Sequence, residues 1–317
     1  MIIGHERQIK YLDKVLKRER LAHAFLFYGP EQVGKRTTAL TLAKTLYCKV
    51  GEGLMEGVCD ECSSCRKIDA GVHPAVMLLG REQTLVSKKE KRKEIPIEDI
   101  RELKRRFSFA PQGNEWRMAI IDDAHLMSQE AADAFLKMLE EPGERTLFIL
   151  IAPNRELLPP TISSRAQPLR FALVPDAVLE KKFDGLIKWA KDKKSKKEIL
   201  ALAQGRPGIM FSLVKDPELL SGERVLLQNL LSLLKQKNIS DIFKLTEEIA
   251  GDEEVSRKAV EYMLRILRKE LLKSAATGMV SSLLGKIKRI EEVNFIRETT
   301  NVNPRLALDI LFLTAIS

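Results

Sequence analysis

"HAFLFYGPEQVGKRTTALTLAKTL", residues 23–46, decides how the first half of this 317-residue chain is read. A short apolar run ends in a glycine loop, and the loop runs into a segment with Leu40, Ala43 and Leu46 on one helical face, Leu42 filling in. Gly29, Gly34 and Lys35 stand at the positions that G-x-x-x-x-G-K requires of a phosphate-binding loop. Strand, loop, helix is the context that gives such a match weight; the spacing alone is weak. The next residue should be Ser or Thr, whose hydroxyl holds Mg²⁺. Here it is Arg36, and Thr37 offers the nearest substitute hydroxyl.

Working outward, "AVMLLG" (75–80), "RMAIIDDAHLM" (117–127) and "TLFILIA" (146–152) read as three more buried strands. Between them come helices: 5–18, with Ile9, Leu12, Val15 and Leu16 at helical spacing; "IPIEDIRELKRRF", opening after Pro96; and "SQEAADAFLKMLEEPG". In the last, Ser128 is the expected N-cap, Ala132, Phe135, Leu136 and Leu139 share a face, and Pro-Gly ends the helix. Apolar strands alternating with helices predict an α/β fold with a parallel sheet covered on both faces. Beyond Pro168 the character changes, and from 223 onward there are only three glycines and one proline, so that half is expected to be all-helical. The expected divisions are 1–167, 168–212 and 213–317.

The strand-end acids carry the chemistry of this class of site. After a phosphate loop, the first carboxylate normally supports Mg²⁺ and a following Glu polarises the attacking water. Asp122 suits the first role. Asp123 stands where the Glu would be, one methylene short, which draws a base back by roughly 1.5 Å, and a displacement of about 1 Å can cost on the order of 100-fold in rate. With Arg36 in addition, productive hydrolysis is not expected. Two readings of the loop remain open: nucleotide held by the backbone cradle and Lys35, or a turn kept without its ligand. In "APNRELLPPTISSRAQ" (152–167), Asn154 lies just past a strand end, where it could face a terminal phosphate. Thr161 or Ser163 is expected to open a short helix carrying Arg165, which read alone is a solvated surface group.

All four cysteines fall within 18 residues: Cys48, then Cys59, Cys62 and Cys65 in "CDECSSC". Four thiolates at these spacings suit a closed, structural, tetrahedral Zn²⁺ site with Zn–S near ~2.3 Å, set against free thiols or a redox pair. The intervening "KVGEGLMEGV" has the glycines such a knuckle needs.

Composition narrows the class without naming it. Charged residues make up 31% and apolar ones 44%, enough for a real core, and the length suggests roughly two domains, or three if one is small. No stretch approaches the ~18 apolar residues of a membrane span, and "MIIGHERQIK" has no secretory pattern, so a cytoplasmic protein is expected. The net charge of +9 is partly concentrated in "KKEKRK" (88–93) and "KDKKSKK" (191–197). Such runs are usually solvated, but they are also what a basic nucleic-acid contact would use. With 6% aromatics, not interleaved with those runs, a base-stacking platform is not indicated.

Taken in order, "IIGHE", "RLAHAFLFYGPEQVGK", the cysteine knuckle, "IIDDAHLMSQEAADAFLKMLEEP", "LPPTISSRAQ" and "NPRLALDILFL" resemble the clamp-loader branch of the AAA+ family over almost the whole chain. The resemblance implies a RecA-like AAA+ module at 1–167 with the zinc knuckle inserted at 48–65. It also implies a small helical lid at 168–212 and a helical collar at 213–317 that assembles a hetero-pentamer. Partners would be gamma/tau motor and delta subunits, a sliding clamp, and primer-template DNA reached through the complex. In that family a neighbour's ATP site is completed by the arginine of a Ser-Arg-Cys motif, which Ser164 and Arg165 match while Ala166 departs. Arg165 is then a trans arginine finger. Gly-Lys-Arg and Asp-Asp depart from the motor pattern toward the non-hydrolysing delta-prime branch of a DNA polymerase III holoenzyme, with no intrinsic ATPase. Arg206-Pro207-Gly208 would be a degenerate sensor, with Pro207 spoiling the start of its helix. The alternatives are an ATP-hydrolysing subunit, gamma/tau-like or of the replication factor C small-subunit type, and a zinc-dependent nucleic-acid binding module.

Overall fold

The computed structural model describes residues 2–51, 53–80, 93–108, 116–186, 193–236, 238–274, 280–300 and 302–316. The basic run at 88–93 therefore lies outside the described residues except for its last position, and that at 191–197 lies partly outside them. The chain divides into two units, Met1–Lys215 and Asp216–Ser317.

The first unit runs α1 (Glu6–Lys17), β1 (Ala24–Tyr28), α2 (Lys35–Tyr47), α3 (Ser63–Asp69), β2 (Val76–Leu79), α4 (Ile97–Ser108), β3 (Arg117–Ile121), α5 (Gln129–Glu140), β4 (Thr146–Ala152), α6 (Pro160–Ser163), β5 (Gln167–Arg170), α7 (Asp176–Leu186), α8 (Lys193–Ala203) and α9 (Pro207–Lys215). The five strands form one sheet in the order β2-β3-β4-β1-β5, with every pairing parallel. The alternation of strands and helices predicts this parallel sheet, and it is the RecA-like arrangement that the family resemblance implies.

Why the strands read as unbroken apolar runs is plain in the packing. Successive side chains point to opposite faces. Phe25, Phe27, Leu147, Ile149 and Ile151 pack on one face with Leu42 of α2. Leu26, Phe148 and Leu150 pack on the other with Phe135 of α5. Because both faces are covered, both sets must be apolar. Phe135 meets Phe148 edge-on, 5.2 Å between centroids, and Phe107 stacks on the same ring at 5.5 Å. Truncating the fully buried Phe135 to Ala should cost ~3–5 kcal/mol.

Local signals place the helices. The Ser128 hydroxyl accepts the Ala131 amide at 3.2 Å and caps α5 as expected, although the buried face uses Ala131 and Met138 beside Phe135 and Leu139 rather than Leu136. In α2 the buried face centres on Ala39, Leu42 and Ala43, with Leu40 and Leu46 at its flanks. The fifth strand, "QPLR", is not among those the apolar runs predict, and it carries the sheet to Arg170. It is a polar, largely exposed edge with no periodicity to betray it.

The second unit is all-helical: α10 (Pro217–Gln236), α11 (Ile239–Ile249), α12 (Glu253–Lys273), α13 (Val280–Thr299) and α14 (Pro304–Ile316). Acidic or amide side chains start several of these helices. Asp216, Asn238, Asp252 and Asn303 each accept amides of the following first turn, the usual remedy for unpaired N–H groups. Inside, the buried Glu223 accepts from the Tyr262 hydroxyl at 2.6 Å and pairs with Lys258 at 2.9 Å, so its charge is fully accompanied. Among the described residues, no helix is long and apolar enough to cross a membrane.

Candidate nucleotide and metal sites

The glycine loop turns between β1 and α2 with Gly29 at φ 140° and Gly34 at φ 110°, conformations that side chains resist. At Gly29 there is also no room, since a Cβ would lie 1.9 Å from the Phe171 carbonyl oxygen. Lys35 is buried in the loop it closes. Its Nζ donates to the carbonyls of Gly29 at 2.5 Å and Pro30 at 2.7 Å. Burial pushes its ammonium down to about 8, with Arg206 acting in the same direction and Glu31, Asp122 and Asp123 opposing.

The loop borders a cavity of about 290 Å³. Gly34, Lys35, Arg36, Thr37, Asp122 and Asp123 are among its lining residues, so six of the eight residues expected at a nucleotide site come together. Gly29 stands behind the loop as the acceptor of Lys35. Asn154 is the exception: the lining passes through Pro153, while Asn154 is exposed and accepts the Glu156 amide to cap a single 3₁₀ turn at Arg155–Leu157.

Arg36 and Asp122 form an ion pair, Nη1 to Oδ2, at 3.5 Å. Burial and the neighbouring Asp123 carboxylate hold Asp122 above the usual carboxylate range, against the pull of Arg36 and Lys35. Asp123 takes a left-handed backbone, φ 53°, as the strand turns into a short 3₁₀ segment. A Mg²⁺ held in the usual way does not fit these residues. The hydroxyl ligand is replaced by a guanidinium, and that guanidinium already answers the supporting carboxylate.

The lining also includes residues that spacing could not reveal. Ile2 and Ile3 reach it from the N-terminal segment, and Phe211 from α9. His5 Nε2 lies 2.9 Å from the Val33 carbonyl, and its ring packs on Phe171. Burial keeps its pKa below the ordinary value despite that bond, with Lys35 adding to the effect. The Gly208 amide donates to Gln32 in the loop at 2.9 Å. Pro207 does not spoil α9, as the sequence had suggested, but is its first residue, where the missing N–H costs nothing and the fixed φ suits a helix.

Arg165 lies in the turn after α6, which starts earlier than expected, at Pro160, and ends at Ser163. Its guanidinium pairs with Glu140 at 2.9 Å and donates to the Thr161 carbonyl at 3.0 Å, on an exposed surface away from the cavity lining.

The cysteines form the second site. The sulfur atoms of Cys48, Cys59, Cys62 and Cys65 all lie within 4.8 Å of one another. Ligands at ~2.3 Å from a tetrahedral Zn²⁺ would stand about 3.8 Å apart, and the Cys48–Cys59 and Cys59–Cys65 separations are 3.4 and 3.9 Å. None is in a disulfide. The amides of Cys62 and Cys65 point at the sulfurs of Cys59 and Cys62, both at 3.4 Å. Burial alone would raise the Cys48 thiol, but amides of Cys59, Val50 and Gly51 bring it to about 6, while burial and neighbouring sulfurs push Cys65 up. The cluster can chelate a metal, and the donor set fits Zn²⁺. Two buried charges moor it: Lys44 of α2 pairs with Asp60 at 2.5 Å and Asp69 at 2.8 Å, and Asp13 of α1 accepts the Leu54 amide at 2.8 Å.

Residues 4–175 match the protein family described as DNA polymerase III, delta subunit. The DNA polymerase III subunit tau of Bacillus subtilis is 26% identical over 97% of this chain and 55% of its own length. The subunit delta' of the same organism is 35% identical over 54% of this chain and 49% of its own. Subunit tau of Escherichia coli is 29% identical over 89% of this chain and 38% of its own length. The chain thus spans about half the length of the first two of these curated relatives, and less of the third. Sheet, loop, cysteine cluster and sequence agree, and the chain belongs to the DNA polymerase III clamp-loader family of AAA+ subunits, the group that takes in tau, gamma and delta-prime.

Proposed function

We propose that the chain is a non-hydrolysing, delta-prime-like subunit of a cytoplasmic clamp loader. In this reading it assembles with gamma/tau-type motor subunits and a delta subunit, and helps to place a sliding clamp on primer-template DNA. The Arg36–Asp122 ion pair carries the reading, because it puts a fixed monovalent cation where hydrolysis needs a metal. Asp123, one methylene shorter than a Glu, adds to it. Residues 1–167 would serve as the AAA+ module, 168–212 as its lid and 213–317 as the collar. Zn²⁺ would hold the knuckle, and Arg165 would reach a neighbour's nucleotide.

A motor reading is favoured by a different observation: tau subunits align over 97% and 89% of this chain, the delta' subunit over 54%. On sequence comparison alone the motor reading is the better supported, and the ion pair is what weighs against it. Steady-state ATPase separates the two. The purified chain should show no turnover above background with Mg²⁺, and a complex with a motor subunit should turn over. Turnover by the chain alone, abolished in Lys35→Ala, would establish the motor instead.

A further inference from the structure

The cavity beside the glycine loop contains its own cation, and this has a consequence for what it binds. The phosphate-binding parts are intact. Gly29 and Gly34 hold the left-handed loop, and the N-terminus of the 13-residue α2 faces the cavity, where unpaired amides favour an anion. Lys35 is only 6% exposed. An ammonium has three protons; two go to the Gly29 and Pro30 carbonyls, and the third has no acceptor among the described residues. What has been altered is the metal's seat. Arg36 replaces the hydroxyl ligand and its guanidinium lies 3.5 Å from Asp122, so a divalent ion brought to that place would meet a like charge and find its carboxylate engaged.

We propose that this cavity binds a nucleoside diphosphate without any divalent cation, Arg36 standing in for the metal. The inference rests on the non-hydrolysing reading of the same loop. Charge selects the diphosphate. Around Lys35 stand Arg36 and Arg206 as cations and Glu31, Asp122 and Asp123 as carboxylates, three positive charges against three negative. Arg36 contributes one positive charge where Mg²⁺ would contribute two, so less phosphate charge is offset and a third phosphate is disfavoured. Ile2, Ile3 and Phe211 add apolar side chains to the lining, the kind of surface a base can pack on.

Calorimetric titration of the full-length chain with ADP and with ATP, in millimolar magnesium and again in EDTA, tests this. ADP should bind with affinities agreeing within about twofold in the two buffers, and more tightly than ATP; Arg36→Ala should weaken ADP about tenfold or more in both, a loss of about 1.4 kcal/mol. Arg36→Thr restores a hydroxyl, and its ADP affinity should become magnesium-dependent. Circular dichroism and metal content verify that each variant is folded, and since Arg36 is partly exposed, Arg36→Lys serves as a milder second variant that keeps the charge and should bind ADP in EDTA. Wild-type affinity that rises about tenfold with magnesium, or no ADP binding in either buffer, overturns the inference while leaving the subunit assignment in place. Magnesium-dependent turnover by the chain alone would overturn the assignment itself.

Discussion

The amide of Gly208, in the first turn of α9, donates to the carbonyl of Gln32 at 2.9 Å, so the glycine loop is closed by a segment 176 residues further along the chain. The approach is close: a Cβ on Gly208 would stand 2.9 Å from the Gln32 Cβ and 3.0 Å from its oxygen. Both are backbone or near-backbone atoms that cannot swing aside. Gly208→Val should therefore lift α9 from the loop at a cost of ~1–3 kcal/mol, the usual range for overpacking. Hydrogen exchange should show faster exchange in α9 and at residues 31–34, with β4 unaffected. Unchanged protection in α9 would mean that the contact contributes nothing.

Purified under reductant, the chain should contain about one equivalent of Zn²⁺, removable by chelator. Cys62→Ala should lose it, and the amides that now point at sulfur should exchange faster while the sheet persists, since a structural zinc supplies its free energy locally. Lys44→Met should weaken retention without removing a ligand, because Asp60 and Asp69 lose the buried ammonium that moors them. Elemental analysis well below one equivalent in the wild type would exclude the site.

Lys35 makes stability depend on pH in a defined window. Unfolded, its ammonium holds a proton up to an ordinary value of 10.5; folded, burial brings release down to about 8. Between these values the unfolded chain binds more protons, so stability attributable to Lys35 rises with pH from about 8 to 10.5 and is lowest below pH 8. The span corresponds to about 3 kcal/mol at most. In denaturant titrations, wild type should gain on Lys35→Met by an amount of this order across that window. A constant difference between the two would show that Lys35 titrates normally.

For Arg165, the expected outcome of Arg165→Ala is normal assembly with partial loss of ATPase in the reconstituted complex. Its side chain is exposed and its partners are Glu140 and the Thr161 carbonyl, so stability should change by under ~0.5 kcal/mol. A trans finger can be worth ~10³–10⁵ in rate at its own site, but only one site of the ring would lose it. Arg165→Lys should rescue poorly, because a point charge lacks the planar fork. Assembly by gel filtration together with wild-type ATPase and clamp loading in the Ala variant would make Arg165 a surface residue.

What the sequence determined by itself is whatever depends on neighbours along the chain. Strands β1 to β4 are legible because burial on both faces requires an unbroken apolar run, and α5 because Ser128 caps it and its apolar residues recur at helical spacing. The cysteine cluster is legible because three of its four ligands lie within seven residues. Tertiary structure alone decided the rest. β5 has no apolar run, since it is an exposed edge, and it is a strand only because β1 offers it a partner. Asn154 lies just beyond β4 as expected, yet the local turn claims its side chain as a cap. Arg36 could be read as a lost hydroxyl, but that its guanidinium lies beside Asp122, 86 residues away, follows only from the sheet that brings the end of β3 beside the loop. Pairings of that kind leave no periodicity or spacing in the sequence, because the folded backbone sets their distances.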